Sequence, residues 1–169
     1  MTRKRNPIEF IETRVKRPDS IATKLKKKHL PISVESVRSN LNDVAGVRVI
    51  CAFLDDIYKV ADMLTAQDDV ELIKTKDYIK KPKMNGYRSL HLIISVPVYF
   101  SDHKEQIRVE VQIRTIAMDF WASLEHQVKY KKNVKDAESV MYELRACADV
   151  INRTDCHMQS IRDRIVEID

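Results

Sequence analysis

The sequence predicts an α+β domain, a β-sheet flanked by helices, with a long C-terminal heptad-patterned helical segment. Three observations carry that expectation. Residues 108–114 alternate without a slip: Val109, Val111 and Ile113 point one way, and Arg108, Glu110, Gln112 and Arg114 the other, the period of two of a strand with one apolar face. Residues 43–53 form a short β-branched run of strand length. From Val140 through Leu144, Cys147, Ile151, Thr154, Met158, Ile161 and Ile165 to Ile168, nine positions recur at spacings of four and three, a heptad seam with one polar member.

Taken in order, the chain begins with a basic head. Residues 1–28 hold ten Lys or Arg against Glu9, Glu12 and Asp19, so this head alone carries +7 of a net +5 and the remainder carries −2. Such a head suits a polyanion, either nucleic acid or nucleotide phosphates, and a solvated basic tail is the plainer reading. Pro18-Asp19-Ser20 starts a helix, and Arg14 and Lys16 precede it in a segment able to extend. A short helix covers Val34 to Leu41 with Ser33 as its N-cap. Within the strand that follows, Asp43 stands at the entry and Arg48 is a charge inside an apolar run. A buried charge needs a partner.

Asp55-Asp56 opens an amphipathic helix with Ile57, Val60, Ala61 and Leu64 on one face. A strand spans Val70 to Ile73. Lys74 to Arg88 then reads as a long basic loop carrying Tyr78, Asn85-Gly86 and Tyr87, a composition that suggests ligand contact. Ser89 to Phe100 is a strand, 101–106 a turn, and 107–114 the antiparallel return. After Thr115 a helix runs to about Tyr130 with Met118, Trp121, Leu124 and Val128 as its apolar stripe. The chain divides into a domain at 1–132 and a helical segment at 133–169 for packing or oligomerisation.

Several classes fall away on composition. With 33% charged and 44% hydrophobic residues, the chain reads as globular, without a membrane-spanning run or a signal peptide. Three cysteines with no Cys-x-x-Cys pair argue against a disulfide framework or a zinc site, so the expected compartment is cytoplasmic. No glycine-rich phosphate loop occurs, and phosphates must be held by side chains. Asp43 and Glu110 are the carboxylates placed to share a divalent cation, Mg²⁺ preferring oxygen ligands completed by water and phosphate. Arg14, Lys16, Lys24, Lys27, Arg48 and Arg114 are candidate cations, and Tyr87 offers a ring for a base to stack on. Taken singly, each has a structural explanation: a strand Glu is usually ion-paired, and His91 alone is more often structural than catalytic.

Four segments together do more. Asp43-Val-Ala-Gly-Val-Arg48, Lys76 to His91, Glu110-Val-Gln-Ile-Arg-Thr115 and Trp121-Ala-Ser-Leu-Glu-His126 resemble the synthetase domain of the RelA/SpoT-homologue family, in its small alarmone synthetase form, across roughly Pro7 to Tyr130. The resemblance implies a nucleotidyltransferase-like fold with a mixed sheet. It also implies transfer of the β,γ-pyrophosphate of ATP to the ribose 3′-hydroxyl of GDP or GTP, making ppGpp or pppGpp. On this resemblance Asp43 and Glu110 hold Mg²⁺, and Glu110 orients or deprotonates the 3′-hydroxyl. Arg14 and Arg48 sandwich adenine, while Lys16, Ser20, Lys24 and Lys27 or Lys28 grip the ATP phosphates. Tyr87 stacks on guanine, with Lys83, His91, Gln112 and Glu125 completing the acceptor site. A homo-oligomer, in relatives a tetramer, is implied as well. Two rivals are an enzyme of the same chemistry with an adenine-nucleotide or tRNA acceptor, and a non-catalytic RNA-binding regulatory module using the basic head. Two carboxylates among the cations count against the second.

Overall fold

The computed structural model describes residues 5–130 and 137–166. Five strands, β1 (Ile8–Val15), β2 (Ala45–Cys51), β3 (Glu71–Asp77), β4 (Leu90–Tyr99) and β5 (Lys104–Thr115), form one sheet in the order β1-β2-β5-β4-β3. The helices are α1 (Pro18–Lys27), α2 (Val34–Asn40), α3 (Leu54–Thr65), α4 (Ile116–Tyr130) and α5 (Ala137–Val166). The sheet is mixed, as expected from the resemblance: β2 runs parallel to β5, and the other pairs are antiparallel.

Alternation decides the two faces. Val49, Cys51, Leu90, Leu92, Ile94, Val111 and Ile113 are buried on one side against Ile57, Val60 and Ala61 of α3 and Met118 of α4. Each such aliphatic side chain contributes about 1.5–3 kcal/mol on burial, so this layer supplies most of the cohesion. The opposite face carries the polar set, among it Arg48, Glu110, Gln112 and Arg114.

Three elements differ from the sequence reading. The basic head does not trail loosely, because residues 8–15 pair with β2 along their whole length. Exposure of nearly every residue hides this strand: an edge strand with one neighbour lacks a clean apolar period. β3 extends to Asp77, so Lys74 and Lys76 belong to a strand, with a register irregularity between Leu72 and Lys74. The β4–β5 turn is tighter than expected, since pairing begins already at Tyr99 and Lys104. The helices at 18, 34 and 54 start where their local signals put them, and Ser33 Oγ accepts from Ser36 N at 3.1 Å.

The C-terminal segment is one long helix, as its periodicity predicts, but it docks on a stripe that coincides with the seam only in part. Leu144, Ala148, Ile151, Asp155, Gln159 and Arg162 face the domain, while Cys147, Thr154, Met158 and Ile165 of the seam are exposed. Polar latches explain the rotation. Trp121 Nε1 donates to the Leu144 carbonyl at 2.8 Å, and Thr115 Oγ1 donates to buried Asp155 at 2.6 Å. Arg162 grips Asp55 with two bonds of 2.6 and 2.8 Å while its guanidinium covers the Phe53 ring. Ile168 and the division at 132/133 lie outside the described residues.

These latches generate two predictions. Thr115 Oγ1 also accepts from Met118 N at 3.1 Å, so Thr115→Val strands a buried carboxylate and a helix N–H together. We expect a loss of about 1–3 kcal/mol in chemical denaturation; a change within error would show that α5 does not depend on this latch. The Arg162 pair holds Asp55 well below its ordinary value of 3.8, against the opposing cost of burial. A carboxylate lowered on folding stabilises above its unfolded value, and that contribution fades as pH falls through the lower folded one. Arg162→Met should therefore destabilise the protein above pH 3.8 and lose its effect in stronger acid, as read from the denaturation midpoint against pH. A destabilisation that grew in acid would refute the assignment.

Candidate active site

The parallel register of β2 and β5 builds the site. Gly46 lies opposite Glu110 and Arg48 opposite Gln112. On the outer side Arg14 pairs with Gly46 and Glu12 with Arg48, and on the inner side His91 pairs with Gln112. All these positions share the sheet face opposite the apolar layer, so the strands lay down two polar rows, Arg14-Gly46-Glu110 and Glu12-Arg48-Gln112-His91. A groove of about 440 Å³ follows them, lined by Arg14, Asp43, Arg48, Glu110, Gln112 and Arg114 among others. Gly46 keeps its floor low, since a side chain there would rise between Arg14 and Glu110.

Next to the groove, α1 contributes a basic hollow of about 550 Å³ lined by Lys16, Asp19, Ser20, Thr23, Lys24 and Lys27. The two meet at Asp43. Lys16 and Lys24 both donate to Asp43 Oδ2, at 2.5 and 2.6 Å. Burial pushes the Asp43 carboxyl up, but the two ammoniums outweigh it and hold the group below the usual carboxylate range. Asp43 Oδ1 is buried and has no hydrogen-bond partner among the described residues. An orphaned carboxylate oxygen beside a second carboxylate is a hard donor set with capacity to spare, and it fits an oxygen-preferring divalent cation. No group of three or more potential protein ligands occurs among the described residues, so two carboxylates would be completed by water and phosphate oxygens.

Glu110 is ionised more easily than an ordinary glutamate. A hydrogen bond from His91 is the main cause, opposed by burial and assisted by Gln112, with Asp43 raising it by repulsion. Gln112 Nε2 donates to Glu110 Oε2 at 3.1 Å, and His91 Nδ1 lies 3.4 Å from Oε1.

At the far end of the rows, Tyr87 joins an aromatic cluster with Tyr78, His91 and Trp121. Its hydroxyl is 2.8 Å from His91 Nε2. The Lys83 ammonium covers the Tyr78 and Tyr87 rings at 4.7 and 4.6 Å from their centroids. Asn85 positions this loop, donating to Glu125 Oε1 at 3.0 Å and accepting from Tyr87 N at 3.2 Å. Gly86 sits at φ 88°, and a Cβ there would come within 2.5 Å of the Ala148 Cβ. The C-terminal helix therefore moulds the loop that carries Tyr87.

The structure thus places the expected residues in three adjoining parts: Lys16, Ser20, Lys24 and Lys27 in the basic hollow, Arg14, Asp43, Arg48, Glu110 and Gln112 on the groove, and Lys83, Tyr87, His91 and Glu125 beyond it. One expectation is corrected. Arg48 is not a buried charge: its side chain retains 35% exposure and is already paired, with Glu12 at 3.1 Å and Asp119 at 3.5 Å. Membership of the polar row lifts it towards the groove. Arg114 takes the opposite course. It is 5% exposed and held by Asp119 at 3.0 Å, so the strand's polar face is not simply wet. Sequence reading gave Arg114 no role beyond a candidate cation or an ion pair, and missed Asp119, Ser89 and Glu12 altogether; the shared polar period of 110, 112 and 114 was the available signal.

The chain is similar to known proteins in both sequence and fold. A family model described as a region found in RelA / SpoT proteins matches residues 13–135. The chain is 45% identical over 160 residues to the GTP pyrophosphokinase YwaC of Bacillus subtilis (strain 168), covering 95% of this chain and 76% of that one. It is 38% identical over 163 residues to the GTP pyrophosphokinase YjbM of the same strain, covering 96% and 75%. Among solved structures, small alarmone synthetase 1 from Bacillus subtilis bound to its product pppGpp superposes with a TM-score of 0.87 at 36% identity, covering 97% of this chain and 83% of that one.

Proposed function

The chain belongs to the RelA/SpoT family, and we propose that it is a GTP pyrophosphokinase transferring the β,γ-pyrophosphate of ATP to the ribose 3′-hydroxyl of GDP or GTP. The observation that carries this reading is the meeting of a basic hollow and a two-carboxylate groove at Asp43, with an aromatic platform at the other end. The likeness to a synthetase holding pppGpp supports a guanosine product.

In this reading Lys16, Ser20, Lys24 and Lys27 bind the ATP phosphates beside the N-terminus of α1, and Arg14 and Arg48 flank the adenine. Lys83, Tyr87, His91, Gln112 and Glu125 receive the guanosine, whose base stacks on Tyr87. Asp43 and Glu110 would hold Mg²⁺, which would neutralise phosphate charge. The acceptor 3′-oxygen forms a bond to the β-phosphorus while the bond from that phosphorus to the α-bridging oxygen breaks, and AMP departs with the electron pair. The hydroxyl proton passes to Glu110. A carboxylate held below its ordinary range is a weak base towards an alcohol, so Glu110 orients the hydroxyl first and takes the proton late, as a loose transition state permits.

No helix among the described residues is long and apolar enough to cross a membrane, and the cysteines at 51, 147 and 156 are free; we place the enzyme in the cytoplasm. We also read the exposed line of Cys147, Val150, Thr154, Met158 and Ile165 on α5 as a contact between copies.

The direct test incubates the protein with Mg²⁺, labelled ATP and, separately, GDP, GTP, ADP or tRNA. We expect label in ppGpp and pppGpp; label confined to ADP or tRNA would move the acceptor assignment, and bound RNA without transfer would favour a regulatory module. Glu110→Gln should leave the fold intact and lower turnover by about 10²-fold or more, while Tyr87→Ala should raise the acceptor KM more than the ATP KM. Near-normal turnover in the first variant, or an effect on ATP alone in the second, would refute the roles given. For assembly, sedimentation should show an oligomer that Val150→Glu with Met158→Glu reduces to smaller species. A monomer at all concentrations would end that reading.

A further inference from the structure

Five side chains where the groove meets the aromatic cluster close into a ring. Arg114 Nη2 donates to Gln112 Oε1 and to the Tyr87 hydroxyl, both at 2.7 Å. Gln112 Nε2 donates to Glu110 Oε2 at 3.1 Å. Tyr87 Oη meets His91 Nε2 at 2.8 Å, and His91 Nδ1 faces Glu110 Oε1 at 3.4 Å. Two arms therefore run from one guanidinium to one carboxylate, the first through an amide and the second through a phenol and an imidazole.

We propose that Arg114 is a positioning residue for the acceptor side of the reaction, anchoring both arms of this ring and so fixing Tyr87 and both oxygens of Glu110 together. The proposal rests on the pyrophosphotransfer reading for its functional consequence, but the ring itself does not. A guanidinium has only donors, and a carboxylate only acceptors, so the orientation of the amide between them is decided. The Gln112 amide must turn its oxygen to Arg114 and its nitrogen to Glu110. On the other arm the Tyr87 oxygen accepts from Arg114 Nη2 and shares a hydrogen bond with His91 Nε2. His91 Nδ1 then donates towards Glu110. An imidazole bearing its proton on Nε2 would bring the bare Nδ1 lone pair against a carboxylate oxygen.

Arg114 is able to act this way because it is itself immobile. Asp119, in the first turn of α4, balances its charge at 3.0 Å, Ser89 Oγ lies 3.4 Å from Nε, and the side chain is 5% exposed. A buried, planar fork with each edge engaged has one orientation. Gln112 and His91 each occupy one lone pair on a different Glu110 oxygen, which sets the plane of the carboxylate and leaves its other lone pairs for the groove. The platform for the acceptor base and the group that orients its 3′-hydroxyl thus share one anchor, and their separation follows from Arg114.

The test reads the His91 Nδ1 proton directly, by nitrogen NMR of the unreacted full chain, alongside steady-state kinetics. In the wild type the Nδ1 proton should be held against Glu110 and protected from exchange with solvent. In Arg114→Gln and in Tyr87→Phe, which removes a single oxygen, the arm loses its anchor and that proton should exchange faster. For Arg114→Gln we expect kcat to fall and the acceptor KM to rise, together on the order of 10- to 100-fold in kcat/KM for GDP, with the ATP KM within about twofold. The phenylalanine variant keeps the proton readout available if loss of Arg114 prevents folding. A His91 Nδ1 proton as well protected in the variants as in the wild type overturns the proposal, and so does a folded Arg114→Gln protein with GDP kinetics within about twofold of wild type. If the Nδ1 proton behaves as expected but no acceptor is labelled, the ring stands and the pyrophosphotransfer reading fails instead.

Discussion

The parallel pairing of β2 with β5 is the constraint on which the rest of the molecule depends. It places Gly46 beside Glu110 and Arg48 beside Gln112, and through β1 and β4 it extends each of those positions into a row. Side chains alternate with a period of two, so a slip of one residue between these strands would send Glu110 into the apolar layer and Val111 into the groove. The aliphatic layer under α3 and α4 forbids that slip, because the burial of Val49, Val111 and Ile113 would be lost with it. Core packing and the geometry of the candidate site are thus two faces of one register, and the apolar layer holds the site in place although no residue of the site belongs to that layer.

Most of the fold was legible wherever a local signal and a periodic one coincided. The alternation at 108–114, the Pro18 helix start and the Ser33 cap are short-range facts, and they survive in the structure unchanged. β1 was not legible, since an outer strand exposed on most of its length shows neither an apolar stripe nor a distinctive turn. The heptad on α5 was read correctly as one helix and incompletely as a surface. Its docking stripe includes Asp155, Gln159 and Arg162, polar residues whose partners, such as Thr115 and Asp55, lie 40 and 107 positions away. A search for apolar periodicity has no means of finding them.

The candidate site shows the same division. Asp43, Glu110 and the lysines of α1 were identifiable by type and resemblance, and the structure adds how they are reconciled: two ammoniums share one oxygen of Asp43 and leave the other unpartnered. What the sequence left open was which of the two flanking arginines on β5 mattered. Arg108 ends at the rim, donating to the Ser39 carbonyl and Asn42 Oδ1. Arg114 ends inside, against Asp119 and Tyr87. Both belong to the same strand and the same face, so only the third dimension separates them.

The electrostatic arrangement also bears on the roles proposed for the two carboxylates. Asp43 and Glu110 are both held below the usual carboxylate range, each by hydrogen bonds that outweigh burial or the repulsion between them. Such groups are poor at taking protons at neutral pH and good at holding cations and orienting hydroxyls. Pyrophosphoryl transfer asks for just that division of labour, because its charge lies on phosphate oxygens and its barrier responds to placement more than to basicity. A site built to pull a proton early would raise its carboxylate by isolating it among apolar groups. Here every polar neighbour of Glu110 on the two arms that reach it, His91 and Gln112, donates towards it, and the anchor of both arms is a cation. The chemistry is favoured by position, and the position is maintained from Arg114 outward.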